Sequence, residues 1–155
     1  MSKSMREKLD NLRQRKNKDY QNIVYYSYKM SVHEHINNHE LKRLEHSIKS
    51  LREFNNEICV YLFCDDHNFI SPDFCSNYDV NFRSFVDGFD HDMLSAWSIH
   101  RWYNLKYFEG RSCNILYLDS DTIFYDDPQY LFDTYCHRDV YGREEFGFRH
   151  DPNTG

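Results

Sequence analysis

Apolar positions along this chain follow two periods. Asn22-Ile23-Val24-Tyr25-Tyr26-Ser27-Tyr28 is a β-branched and aromatic run that predicts a strand. From about Glu40 to Phe54, Leu41, Leu44, Ile48 and Leu51 recur at spacings of three and four, the period of a helix with one buried face. Ile58 to Phe63 is almost uniformly apolar and halts at Asp65-Asp66, as a strand covered on both sides does. Strand, helix and buried strand in that order predict a parallel βαβ unit. Cys64 to Asp79, with Pro72 and small polar residues, reads as loop, and Val80 to Val86 as a third strand closed by Gly88. A second helix is expected from about His91 to Glu109, stopped by Gly110. The apolar run Ile115-Leu116-Tyr117-Leu118 follows, and Asp127-Pro128 then supplies an N-cap and a first-turn proline for a short helix through Leu131 and Phe132. The expected class is α/β, a mostly parallel sheet with helices on both faces.

The last apolar run delivers the most informative motif, Asp119-Ser120-Asp121, followed by Thr122-Ile123-Phe124. In extended backbone, side chains at i and i+2 share a side, so both carboxylates can meet one ion. Hard oxygen donors with coordination positions left for phosphate suit magnesium or manganese better than zinc. A solvated turn with two exposed acids is the plain alternative. The position favours a site, because open α/β sheets bind ligands at the C-terminal ends of their strands.

In the second helix, Leu94, Trp97, Leu105 and Phe108 form a stripe with Arg101 in its middle. A guanidinium facing inward is costly without an anion or acceptors to meet it. A structural ion pair with a strand-end acid and a ligand-binding role both satisfy it. If Arg101 reaches the pocket of Asp119 and Asp121, a diphosphate accounts for all three.

Composition narrows the class. The 155 residues suit one domain, and 17% aromatic content supplies core volume. Residues 1–19 hold seven Lys and Arg against three acids, a local +4 that leaves −10 for the rest of the −6 total. A body this acidic is a poor partner for nucleic acid. The basic leader, residues 1–19, is either a soluble extension or a thin amphipathic helix, with Met5, Leu9 and Leu12 on one side, making weak peripheral contact with an anionic membrane or a partner. It has no secretory apolar core, and no later stretch approaches a transmembrane segment, so cytoplasmic residence is expected. Five cysteines without a C-x-x-C pair read as reduced, packed thiols. His33-Glu34-His35 with His39 is no zincin motif, because Asn37 stands where the second histidine is needed.

The run Ile115 to Phe124, with Asp127-Pro128 and Leu131-Phe132 behind it, resembles the donor-site segment of GT-A glycosyltransferases, the nucleotide-diphospho-sugar transferase superfamily. Arg101, 18 residues before Asp119, is similar to an arginine preceding the Asp-x-Asp strand in the glycogenin-like and galactosyltransferase-like branch. The segments Ile23 to Tyr28, Ser47 to Arg52 and Val60 to Phe63 fit the same order, so the resemblance spans roughly Asn22 to Phe132. It implies a Rossmann-like GT-A domain over residues 20–155, C-terminally truncated. It also implies transfer of a sugar from a nucleotide-diphosphate donor to an acceptor hydroxyl, leaning towards retention. By resemblance, Asp119 and Asp121 bind Mn2+ or Mg2+, and Ser27, Tyr28, Asp66, Arg101, Asp119 and Ser120 line the donor site. The family's further metal ligand and most acceptor residues come from a C-terminal half that the sequence does not show. His137 or His150 as substitute ligand, Glu144 and Glu145 as acceptor-side acids, and Asn153-Thr154-Gly155 as a late family segment are weaker correspondences. Catalytic residues stay unassigned.

Two rivals remain. Asp119-x-Asp121 with Thr122 also matches the first motif of haloacid-dehalogenase-like phosphatases, with Asp119 as nucleophile and Asp121 as general acid/base. That motif normally opens such a fold, whereas here only 34 residues follow Asp121. A non-catalytic, truncated nucleotide-sugar-binding module is the other.

Overall fold

The computed structural model describes residues 5–7 and 20–135. Most of the basic leader, Cys136 and every residue named above from His137 onward lie outside them.

Four strands, β1 (Gln21–Tyr28), β2 (Cys59–Cys64), β3 (Val80–Arg83) and β4 (Cys113–Tyr117), pair in parallel in the order β3-β2-β1-β4. Ile23 lies opposite Cys59 on one side and Ile115 on the other, so β1 is the middle of the register. This is a Rossmann-like order, and the direction of winding reverses between β1 and β4.

Alternation along the strands builds two cores. Val24, Tyr26, Val60, Leu62 and Val80 point to one face and pack against Leu44, Ile48 and Leu51 of α1 (Glu34–Phe54), Phe74 of α2 (Pro72–Tyr78) and Phe132 of α4 (Gln129–Tyr135). Ile23, Tyr25, Tyr61 and Phe63 point to the other. There they meet Phe108 and the partly buried Leu105 of the 3-10 turn Asn104–Phe108, which continues α3 (Ala96–Tyr103). The second core is largely aromatic, with Tyr25 in contact with the rings of Phe63 at 5.5 Å, Phe108 at 5.9 Å and Tyr117 at 5.6 Å. The sheet is thus covered on both faces, as the apolar strands require.

Several boundaries differ from expectation for identifiable reasons. The first helix begins at Glu34, where polar residues hide the period. The segment read as loop contains α2, a helix of 7 residues, too short to show a periodic face. Its signals are local: Pro72 opens it, and Ser71 accepts a hydrogen bond from the Phe74 amide at 3.1 Å. β3 stops at Arg83. The helix expected from His91 begins only at Ala96. Gly88 has φ +86 in the turn before it, and a Cβ there would lie 3.0 Å from the Tyr103 hydroxyl. Asp127 accepts the Gln129 amide at 2.9 Å, which caps α4.

Candidate functional site

The C-terminal ends of β1 and β4 form the two lips of a cleft where the strand order reverses. A cavity of about 260 Å³ opens there, lined by Ser27 and Tyr28 from β1, Glu40 and Arg43 from α1, Trp97, His100 and Arg101 from α3, and Tyr117 to Asp121. Six of the expected donor or metal residues, Ser27, Tyr28, Arg101, Asp119, Ser120 and Asp121, border one space. Asp66 does not. Its carboxylate accepts the Asn68 amide at 2.9 Å within its own turn, and its neighbour Asp65 reaches the end of β1 instead, accepting the Met30 amide at 2.8 Å.

The Asp-x-Asp motif is a turn and not an extended continuation of the strand. β4 ends at Tyr117, and the Thr122 amide donates to the Asp119 carbonyl at 3.2 Å. Because the chain reverses here, the three side chains take different partners. Asp119 leans to the α3 side, accepting the Tyr117 hydroxyl at 3.1 Å with Arg101 at 3.8 Å. Ser120 turns to the α1 side and donates to the Glu40 carboxylate. Asp121 is exposed, and among the described residues none forms a hydrogen bond or ion pair with its carboxylate.

Arg101 does meet an acid, but not from the stripe that drew attention to it. Leu94 is fully exposed and outside the helix, and Trp97 is about half exposed. The buried line of α3 is Ala96, His100 and Asn104, continued by Phe108. Two of these are polar, so a search for apolar periodicity passes over them. Arg101 lies beside this line, half-buried, with its Nε donating to the Ser98 carbonyl at 2.8 Å and its guanidinium 5.7 Å from the centre of the Tyr117 ring. The backbone above it is pinned, since the Tyr25 hydroxyl donates to the Arg101 carbonyl at 2.8 Å.

Below the cavity, Ser27 Oγ shares a 2.7 Å hydrogen bond with His100 Nδ1 and accepts the Asn104 amide at 3.1 Å. Burial, reinforced by the Arg101 charge, pushes the His100 imidazole down to about 4. It is therefore a neutral group at neutral pH. Burial and the adjacent Asp119 carboxylate push the Tyr117 phenol up to about 12, which keeps it a hydrogen-bond donor.

Glu40 and Arg43 were not anticipated. Their signal is the α1 stripe: one turn before Leu44 the buried face reaches Glu40, a carboxylate where an apolar residue is due, by the same logic that marked Arg101. Arg43 pairs with Glu40 at 3.2 Å.

The cavity therefore carries three carboxylates, Glu40, Asp119 and Asp121, against two guanidiniums, Arg43 and Arg101, with His100 neutral. A bare diphosphate would face a net negative lining. A divalent cation reverses that balance, and the donor set fits a hard one: carboxylate and hydroxyl oxygens, with no thiol at the turn. Among the described residues, no three His, Cys, Asp or Glu side chains converge as a ready-made cage. Magnesium and manganese sites completed by phosphate oxygens and water need only one or two protein carboxylates. No helix of the described residues is long and apolar enough to cross a membrane. No protein-family model, curated protein or solved structure matches the chain.

Proposed function

We propose that this chain is the donor-binding part of a metal-dependent glycosyltransferase of the GT-A type. In this reading it binds a nucleotide-diphospho-sugar and passes the sugar to an acceptor hydroxyl. The observation that carries the reading is the gathering of Ser27, Tyr28, Arg101, Asp119, Ser120 and Asp121 around one cavity at the strand-order reversal. Ligands of open α/β sheets bind at such points. The charge count supports it further, because a cation would offset the net negative lining that a diphosphate meets there.

Asp121, with no competing partner among the described residues, and Asp119, held loosely at 3.8 Å from Arg101, are the residues to hold Mn2+ or Mg2+. Such a cation, when bound, supplies Lewis-acid polarisation of the diphosphate oxygens. Arg101 uses its Nε on Ser98, which leaves its remaining N–H groups to orient a phosphoryl group and steady charge on it. Ser27 and Tyr28 then lie on the nucleoside side. Ser120, whose hydroxyl is given to Glu40, contributes through the turn and not as a free donor.

Calorimetric titration with UDP and with GDP, each with and without manganese, tests the proposal. One of the two is expected to bind only with manganese, and Asp121→Ala is expected to weaken that binding by tenfold or more (about 1.4 kcal/mol). Equal binding without metal, or an Asp121→Ala protein that binds as the parent does, contradicts it. Acyl-phosphate trapped on Asp119 would point to the phosphatase chemistry instead.

A further inference from the structure

The turn that carries Asp119 and Asp121 is tied to α1, and the tie nearest the acids is a carboxylate. Three contacts, in the same order along both segments, secure the stretch after β4 to α1 and its C-cap residue Asn55. Ser120 donates to Glu40, the Phe124 amide donates to Ser50 Oγ at 2.9 Å, and Asn55 donates to Asp127 at 3.0 Å. The second and third lie beyond the turn. Within it, the only side chain bonded to α1 is Ser120, the residue between the two acids.

Glu40 is suited to hold it. Its side chain is only 19% exposed, and its two oxygens are used separately, one by Arg43 at 3.2 Å and the other by Ser120. Arg43 thereby keeps the carboxylate oriented, although such a helical pair contributes little stability of its own. Asp119 accepts the hydroxyl of Tyr117 at the end of its own strand, and Arg101 of α3 approaches it from the opposite wall at 3.8 Å. The turn thus has a hydrogen bond to α1 on one side and a longer ion pair to α3 on the other, and Asp121, which borders the cavity, has no partner among the described residues.

Building on the metal-site reading above, we infer that Glu40 is a positioning residue for it, acting through Ser120 to orient the Asp119 and Asp121 carboxylates towards a shared cation. Groups hydrogen-bonded directly to a metal ligand typically change metal affinity by about 10- to 100-fold when removed, and Glu40, which acts through the residue between the two ligands, is expected at the low end of that range. Glutamine in place of Glu40 can still accept from Ser120, whereas alanine cannot, so the two substitutions separate the hydrogen bond from the charge.

The test is manganese affinity, read from nucleotide titrations at stepped manganese concentrations, in the parent, Glu40→Ala, Glu40→Gln, Ser120→Ala and the Glu40→Ala/Ser120→Ala double variant. Glu40→Ala and Ser120→Ala should each weaken manganese binding by about tenfold, the double variant no further, and Glu40→Gln by no more than about twofold. Unfolding midpoints close to the parent's would separate this from lost folding. Amide hydrogen exchange at Thr122, the donor that closes the turn, reads the same tie without any ligand, and its protection should fall in both alanine variants and persist in Glu40→Gln. A parent without manganese-dependent binding overturns the donor-site reading. A parent that binds while both single alanine variants keep its affinity, or unchanged Thr122 protection in both, overturns the role of Glu40 alone.

Discussion

His100 sits beneath the cavity as a neutral imidazole, 7% exposed and bonded to Ser27. Its position just below the proposed donor site makes its charge state consequential. An ordinary histidine titrates at 6.5, and burial here, with the Arg101 charge, brings it to about 4. The unfolded chain therefore binds a proton that the folded chain refuses across that window. The stabilisation is full above pH 6.5 and is lost as pH falls through about 4. It amounts to at most about 3 kcal/mol, less in so far as water in the open cavity reaches the ring. Urea unfolding at pH 7 and at pH 4.5 should show this loss in the parent, and His100→Gln should flatten the dependence. An equal pH slope in both would contradict the assignment. His100 and Asn104 were illegible in the sequence because a buried polar residue carries no periodic signal. Arg101 was visible for the opposite reason, as a charge near an apolar face.

At the scale of elements, α1 frames the molecule. Its buried stripe packs on β1 and β2, and its polar positions hold the segment that follows β4. Ile48 is fully buried in the middle of that stripe, so Ile48→Ala should cost about 2–5 kcal/mol in chemical denaturation. Leu94 offers a sharp contrast. Apolar spacing assigned it to the inward face of the second helix, yet it stands fully exposed before that helix begins, so Leu94→Ala should stay within about 0.5 kcal/mol of the parent. A large loss at Leu94 would show that the helix packs as the sequence suggested. The first two strands were legible to within a residue because their apolar runs are unbroken and buried, whereas β3, where Asn81 and Arg83 interrupt the run, stops three residues short of its expected end, and β4 begins two residues before its apolar run. Helix ends were less so: Pro72 to Tyr78 has its Ser71 cap, and Glu34 to His39 is tied through Asn37 to Tyr28 and Ser31, contacts that periodicity does not record.

For the whole molecule, the parallel order β3-β2-β1-β4 brings residues distant in sequence, from Ser27 to Asp121, to one edge of one sheet. The βαβ opening made that edge foreseeable. The second wall, with Glu40 and Arg43, was not, since it depends on how far α1 extends past the strand ends. The bare lining holds more carboxylates than guanidiniums, which makes cation dependence the central claim. Manganese line broadening in amide NMR spectra, recorded with UDP or GDP present, tests it most directly, because a paramagnetic ion marks its own location. Broadening should centre on Asp119 to Thr122 and extend to Ser27, Tyr28, His100 and Arg101, while Gln21 and Ser112 at the opposite edge stay sharp. Broadening centred elsewhere, or none at the Asp119–Thr122 turn, would contradict the account.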